Sequence, residues 1–357
     1  TAYADYIIPD SLLYESWGWA APWAGVPGRA STARWPVVEP KAQKTAQGEP
    51  IGMEAFFIAV AKQAGFPGFG PQALRDAEGN AHPLERAEDW YLRAGANVAF
   101  GGQRPVADAP DEELDLTGLT RIRPAMERSL KPDEWRKVAY VLARGGRYQP
   151  NAAAYDGERF TGRPVRMLQL YNEFLGTSRS AVTGRRFPGV PQYTPAAFSD
   201  GSAMRDHHRA ADWPLLLVSQ KSVLQNSYSI GADRLRALKP DNPVAIHPED
   251  AGPLGIRSGD RVRIATPGGE AVGTAILRRG VMRGVVAVEH GWGHRELGAR
   301  AHEIGGVKQP VRPALGRGVN LNDLGIPDPT RQGLSVWLDP IAGSAVRQGL
   351  PARVAKA

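Results

Sequence analysis

Cysteine is absent from all 357 residues. That removes disulfides, cysteine-ligated zinc, cysteine-held iron–sulfur clusters and a thiolate nucleophile from the functions open to these residues, although it does not fix the compartment. No apolar run approaches the roughly 20 residues a membrane-spanning helix needs. Dense blocks of lysine or arginine are also missing, and Arg185-Arg186 and Arg278-Arg279 are isolated pairs. The net charge of +7 and the isoelectric point near 9.6 therefore describe a generally basic protein. They do not describe the clustered cations and interleaved aromatics of a nucleic-acid binder. The opening residues are not expected to be a secretory leader. Thr1-Ala2-Tyr3-Ala4-Asp5 has neither a basic start nor an apolar core, begins without methionine and reads as internal sequence. The expectation is a piece of a longer chain.

What is present is a loop-rich chain able to bury a core: 30 prolines, 41 glycines and 42% hydrophobic residues. Residues 3–9 read as a short strand ending in a turn, with Asp10 and Ser11 available as helix caps. Trp17, Trp19 and Trp23 follow as candidate packing anchors. Met53, Phe56, Phe57, Val60, Ala61 and Ala64 recur at helical spacing before Gly65 and Pro67, and predict a helix with that face in the core. A second helix is predicted over 84–100 with Trp90, Tyr91, Ala94 and Val98 inward. A third, opened by Pro132 at its first position, places Trp135, Val138, Ala139 and Leu142 inward and ends at Gly145-Gly146. The acidic run 108–116 reads as solvated surface. From 145 to 211 periodicity fades, and only 165–171 reads as a strand; such a length without regular structure marks a connecting or inserted segment. Asp206-His207-His208 in that stretch is a poor metal site, because adjacent histidines in a polar loop do not converge on one ion.

From 212 to 294 the chain reads as a compact β-rich module. A buried-looking strand at 215–219 runs into a polar loop at 220–227. His247-Pro248-Glu249-Asp250-Ala251 reads as a strand end entering a short helix, with Pro248 at its first position. Val262, Ile264, Val272, Thr274 and Ile276 alternate on either side of Pro267-Gly268-Gly269, a hairpin signal. A polar loop at the end of a buried strand is a place for backbone N–H groups and short side chains to grip a polar ligand. The candidates there are Ser219, Lys221, Ser222, Gln225, Asn226 and Ser227; the plain alternative is an ordinary polar turn. His290, Trp292 and His294 alternate, and on an extended segment would share one face, with Gly291 and Gly293 admitting a ligand to the backbone. A purely structural role is equally open for these three.

The order of these blocks, from the strand and polar loop through "AIHPEDAGPLGIRSGDRVRIATPGGEAVGTAILRRGVMRGVVAVEHGWGH", resembles the C-terminal domain of the dimethyl-sulfoxide-reductase superfamily. The opening "YADYIIPDSLLYESWGW" resembles the segment that closes the third domain there. Its wording is most similar to the tetrathionate-reductase group, and respiratory arsenate reductases carry a similar segment. The resemblance implies a mixed α/β chain: the end of an α/β domain over 1–150, a connecting or inserted segment over 151–211, and a six-stranded double-psi β-barrel over 212–357. It implies that the barrel binds molybdenum bis(molybdopterin guanine dinucleotide). The polar-loop residues and His290, Trp292 and His294 would then face the cofactor. "GVNLND" and the later "DPIAGSAVRQ" place Asn322 (or Asn320 in the other register) and Arg347 against it, although extra residues between the two blocks weaken the assignment of Arg347. The residue types suit the ligand, since pyrophosphate, guanine and pterin ask for amides, N–H groups and cations rather than paired carboxylates.

By the same resemblance, an iron–sulfur cluster and the molybdenum ligand belong to an N-terminal part of the same subunit, so these residues alone are expected to be inactive. The implied partners are that N-terminal part, an iron–sulfur electron-transfer subunit, a quinol-oxidising membrane subunit and a small inorganic substrate, on the periplasmic side. Tetrathionate reduction to thiosulfate is the implied reaction, with arsenate, thiosulfate or polysulfide as alternatives. A non-catalytic double-psi barrel that binds another protein remains open from the residues alone.

Overall fold

The computed structural model describes the chain except residues 1–3, 21–29, 77, 102–103, 162–168, 227–228, 230, 297, 334–335 and the side chain at 151. The described residues divide into two units, 4–166 and 167–357.

The first unit holds strands β1 (Gly18–Ala20), β2 (Ala30–Arg34), β3 (Gly70–Arg75), β4 (Ala81–Leu84) and β5 (Gly146–Tyr148). Its helices are α1 (Met53–Gln63), α2 (Ala87–Phe100), α3 (Asp111–Thr117), α4 (Arg123–Ser129) and α5 (Trp135–Ala143), and a small hairpin follows from β6 (Tyr155–Asp156) and β7 (Arg159–Phe160). The order β1-β2-β5 forms one antiparallel sheet. The core is helical: Leu92 and Ala96 of α2 meet Met126 of α4 and Val138 and Leu142 of α5. Each large apolar side chain buried this way contributes about 1.5–3 kcal/mol. Gly95 lets α5 come close, because a Cβ there would sit 3.0 Å from Val138 Cγ1. Arg93 crosses the same interface to form a bidentate pair with Glu134, both contacts at 2.7 Å and both side chains buried.

The third predicted helix is present with its inward face as expected, although Pro132 lies in the turn before it. The other two have different faces. α1 buries Ala55, Ile58 and Ala61 and leaves Met53, Phe56, Phe57 and Val60 exposed. α2 begins at Ala87, since Leu84 belongs to β4, and buries Leu92, Ala96 and Ala99 while Trp90 is exposed. In both, the buried face joins one large apolar residue, Ile58 or Leu92, to alanines, so a count of large apolar residues selects a different face. Most of the acidic run is exposed, as expected, and from Asp111 it forms the amphipathic helix α3. Leu114 is buried, and Asp108, Asp111 and Glu113 pair with Lys137, Arg136 and Arg144. Residues 4–9 form no strand, and Asp10 instead accepts the Met53 N–H at the start of α1 at 3.0 Å. Trp17 stacks on Tyr91, and Trp19 donates to the Tyr91 carbonyl at 2.9 Å; Trp23 lies outside the described residues.

The second unit contains short helices α6 (Glu173–Thr177), α7 (Met204–His207), α8 (Asp233–Leu238) and α9 (Pro248–Ala251). Its strands are β8 (Leu215–Gln220), β9 (Val244–Ile246), β10 (Arg261–Thr266), β11 (Gly269–Leu277), β12 (Val285–Glu289), β13 (His302–Ile304), β14 (Val307–Gln309) and β15 (Gln348–Lys356). Six of them close a barrel in the order β10-β11-β9-β12-β8-β15, and β13 pairs with β14 as a separate hairpin. The pairs β8–β12 and β9–β11 are parallel and the other barrel pairs antiparallel. The fold class read from the sequence, a six-stranded barrel in a mixed α/β chain, is what the structure has. Leu217, Ile246, Val262, Ile264, Val286 and Val288 fill the interior, with Phe198, Met204 and Trp337 packed in from the flanking chain.

The hairpin at Pro267-Gly268 is present, and Thr266 pairs with Gly269. On β11, however, the inward residues are Gly273 and Ala275, while Val272 is exposed and Thr274 and Ile276 are only part-buried. Gly273 explains the offset: a Cβ there would lie 2.8 Å from Val319 Cγ2 and 2.9 Å from Val244 Cγ2, so no larger residue fits. α9 forms as expected, with Pro248 at its first position and the His247 ring accepting the Glu249 N–H at 3.2 Å. The strand expected at 165–171 falls outside the described residues as far as 168, and 169–171 are irregular. His207 and His208 flank the Phe198 ring, their own centroids 6.5 Å apart.

Candidate functional site

Strand direction gathers the candidate residues at one end of the barrel. β8 and β12 run parallel with Gln220 opposite Glu289, so both strands finish there. β15 runs antiparallel to β8 with Gln348 opposite Val218, so it starts there. β9, antiparallel to β12, starts there as well. The loops after β8 and β12 and the chain leading into β15 therefore share this end, a common arrangement for ligand sites on rigid strands.

A recess of about 260 Å³ opens among them, and Ser219, Asn322 and Arg347 all line it with an apolar floor that includes Leu217 and Ile326. Three predicted residues from three separate stretches thus meet. Gln348, missed in the sequence, fixes Ser219: its amide oxygen accepts the Ser219 N–H at 3.1 Å, and its Nε2 donates to the Ser219 carbonyl and Oγ at 2.9 and 3.1 Å. Asn320 and Asn322 have different jobs. Asn320 Oδ1 accepts the Asn322 N–H at 3.0 Å and caps the short turn 321–324. The Asn322 side chain has no hydrogen-bond partner among the described residues, and neither does the exposed Arg347 guanidinium. No carboxylate lines the recess.

The loop after β8 is organised by Ser229, a second residue missed in the sequence. Its Oγ accepts the Asn226 N–H at 2.8 Å and donates to Gln225 Oε1 at 3.2 Å, and Asn226 Oδ1 accepts the Ser229 N–H at 3.1 Å. Ser222 accepts the Leu224 N–H at 3.2 Å in a local turn, and Lys221 is exposed without a partner among the described residues. Ser227 lies outside the described residues. Gln225 is fully buried, 0% exposed, and its Nε2 has no partner among the described residues.

The 290–294 segment is not extended. β12 ends at Glu289, and Gly291 and Gly293 take φ of +93° and +70°, values that L-residues with side chains rarely adopt. The alternation argument therefore does not hold, and His290, Trp292 and His294 do not share a strand face. Trp292 turns inward, 2% exposed, with Nε1 unpartnered among the described residues and the Arg236 guanidinium 5.6 Å from its ring. His290 and His294 are half-buried, and His294 Nε2 lies 3.2 Å from the Gly291 carbonyl, donating when that nitrogen carries the proton. The glycines do allow close approach. A Cβ on Gly291 would stand 3.7 Å from Asn226 Cα, and one on Gly293 only 2.6 Å from the Asn320 nitrogen.

Charge distinguishes this end of the barrel from a recess in the first unit. The first unit has a cavity of about 290 Å³ lined by Lys44, Arg121 and Arg128. Each of those cations is paired there, with Glu39 or Glu88. At the barrel end the acids are the paired groups, Glu289 with Lys239 and Asp323 with Arg295, while Arg347 and Lys221 are left for an anion. Burial, and next the neighbouring Arg312, pull Arg236 below the ordinary arginine range, while Asp233, which pairs with Arg312, works the other way. Gln225 Nε2 and Trp292 Nε1 are thus two buried donors without partners among the described residues, each costing about 1–3 kcal/mol if left unmade.

Residues 216–334 match the family described as the molydopterin dinucleotide binding domain, which is the class this barrel belongs to. Over nearly its full length the chain is similar to a tetrathionate reductase subunit of Salmonella typhimurium, 50% identical across 99% of this chain and 35% of that protein. It is 30% identical to a selenate reductase subunit of Mesobacillus selenatarsenatis, over 96% of this chain and 34% of that one. The corresponding tetrathionate reductase subunit of Archaeoglobus fulgidus is 30% identical over 82% and 28%. The chain spans about a third of the length of these relatives. The resemblance to molybdopterin-dependent reductases read from the sequence stands on these matches.

Proposed function

We propose that this chain is the cofactor-holding C-terminal portion of a respiratory molybdopterin reductase whose substrate is tetrathionate. The observation that carries the reading is the meeting of Ser219, Asn322 and Arg347 in one carboxylate-free recess, at the end of a barrel that matches the dinucleotide-binding family. The identity of 50% to a tetrathionate reductase subunit, against 30% to a selenate reductase subunit, favours tetrathionate within the group.

On this reading the cofactor is molybdenum bis(molybdopterin guanine dinucleotide), and when bound it supplies the two-electron chemistry that splits the central S–S bond of tetrathionate into two thiosulfates. The contribution of this chain is to bind and orient. Arg347 and Lys221 offer cations to phosphate, unpaired by any described carboxylate. Asn322 and Ser219 offer an amide and a hydroxyl to a polar ring edge. Leu217 and Ile326 give that recess an apolar floor, and Gln225 and Trp292, outside its lining, offer buried donors at the same end of the barrel. His290, His294 and Asn226 border the same end, with Asn320 holding the turn that presents Asn322. The iron–sulfur cluster and the molybdenum ligand fall in an N-terminal part of the subunit. Electrons arrive through an iron–sulfur partner and a quinol-oxidising membrane partner, on the periplasmic side.

The test uses the full-length subunit from its native source. Molybdenum, pterin dinucleotide and tetrathionate-dependent oxidation of a reduced dye are expected together. Arg347→Ala and Asn322→Ala should lower the retained pterin while shifting unfolding by no more than about 0.5 kcal/mol, as for exposed side chains without partners. Full-length protein free of molybdenum and pterin, or variants that keep the full complement, would overturn the reading.

A further inference from the structure

Asn242 is 1% exposed and has no role in the site as described so far. It lies two residues before β9, at the barrel end where the loops converge. Its Nδ2 donates to the Glu289 carbonyl at 2.6 Å and to the Val319 carbonyl at 2.9 Å, and its Oδ1 accepts the Val319 N–H at 2.7 Å. Glu289 is the last residue of β12 and leads directly into His290-Gly291-Trp292. Val319 leads directly into Asn320 and the turn that presents Asn322. One buried amide thus ties the loop after β12 to the segment bearing the asparagines, 77 residues away in sequence. The fit is close on its other side too: a Cβ on Gly318 would come within 2.3 Å of Asn242 Oδ1 and 3.1 Å of Trp292 Cβ.

We infer that Asn242 is a positioning residue for the cofactor, setting the register between the Trp292 loop and the Asn320–Asn322 turn without touching the ligand. The chemistry is specific to a carboxamide. Two acceptors and one donor face the side chain, and asparagine alone among residues of its size supplies two N–H bonds and one acceptor there. Aspartate of the same shape offers no donor to either carbonyl when ionised, and leucine offers neither function. A wall on one side of a binding end and a ligand group on the other are then held in one geometry by three hydrogen bonds in a dry site. Partners of this outer kind commonly change retention of a bound group by about tenfold or more. This inference rests on the cofactor reading above.

The experiment compares full-length wild type with Asn242→Asp and the milder Asn242→Ser. Pterin and molybdenum that remain on folded, monodisperse protein are followed after dilution, well below each variant's unfolding temperature. Both variants should release pterin about tenfold faster, with faster hydrogen exchange at 290–294 and 318–322 together. Release at the wild-type rate, even alongside a lowered unfolding temperature, would make Asn242 merely structural and overturn the inference. Wild-type protein without pterin would instead overturn the cofactor reading itself. Wild type alone gives a check that needs no variant to fold: loading pterin should change exchange in the two segments in concert, and independent changes would overturn the link.

Discussion

Gly293→Ala and Gly284→Ala form a pair of substitutions with nearly the same backbone demand and different surroundings. Gly293 sits at φ +70° and Gly284 at φ +74°. An alanine in that left-handed region costs about 1–2 kcal/mol at either place. At Gly284 nothing lies within 4 Å of the added Cβ, so that cost is the whole effect. At Gly293 the Cβ would stand 2.6 Å from the Asn320 nitrogen and 3.0 Å from the Gly318 carbonyl oxygen. Those are backbone atoms that cannot swing aside as a side chain does. Overpacking of this kind adds about 1–3 kcal/mol, which brings Gly293→Ala to about 2–5 kcal/mol. Displacing the 318–320 segment should also disturb the turn that presents Asn322. Denaturant unfolding of the two variants of the full-length protein, with pterin content read in parallel, separates the terms. Gly293→Ala should lose more stability and more pterin. Equal losses would show that the close packing of the 290–294 loop against 318–320 does not exist in solution, and the convergence of the binding end would fail with it.

Removing one member of the buried Arg93–Glu134 pair leaves an uncompensated charge. Glu134→Ala should therefore cost about 3–5 kcal/mol in denaturant unfolding, against no more than about 0.5 kcal/mol for Glu127→Ala, whose pair with Arg123 is exposed. In the barrel unit, burial works to raise the Asp328 carboxyl. Hydrogen bonds from Ser199 and Thr330, among them N–H contacts at 3.0 and 2.9 Å, nonetheless hold it below the ordinary aspartate value. A folded pKa below the unfolded one means the stabilisation is present above about pH 4 and is lost as pH falls through the folded value. Asp328→Asn should flatten the acid limb of an unfolding-temperature profile below about pH 4, and an unchanged limb would show that the carboxylate contributes nothing to acid stability.

The residues disclosed a β-rich module because its signals are local, while its closure into a barrel was what the family resemblance implied. Val262 and Ile264 alternate across β10, Pro267-Gly268 turns the hairpin, and His247 with Pro248 opens α9; each depends on neighbours within a few residues. The inference went wrong on helix faces and on one strand, and on the strand the cause was crowding. α1 turns Ala55 and Ile58 inward and Phe57 outward, and β11 turns Gly273 inward because two valine methyls already occupy the space. Hydrophobic size measures how much a face gains by burial, but tight packing selects what fits.

The site was legible in part, for a related reason. Ser219, Asn322 and Arg347 were named from separate stretches, and the structure places them around one recess because the parallel pair β8–β12 and the antiparallel strand β15 deliver their ends to one side of the barrel. The residues that hold them could not be read that way. Gln348 grips Ser219 across 129 residues and Asn242 grips Val319 across 77. An amide used to fix backbone looks, in one dimension, like any polar residue in a turn. The groups proposed to face the ligand carry a chemical signature of cations and amides, whereas the groups proposed to aim them carry only a geometric one. A site of this kind is thus more visible in sequence at its surface than in its supports, and its supports are where substitutions should act without touching the ligand at all.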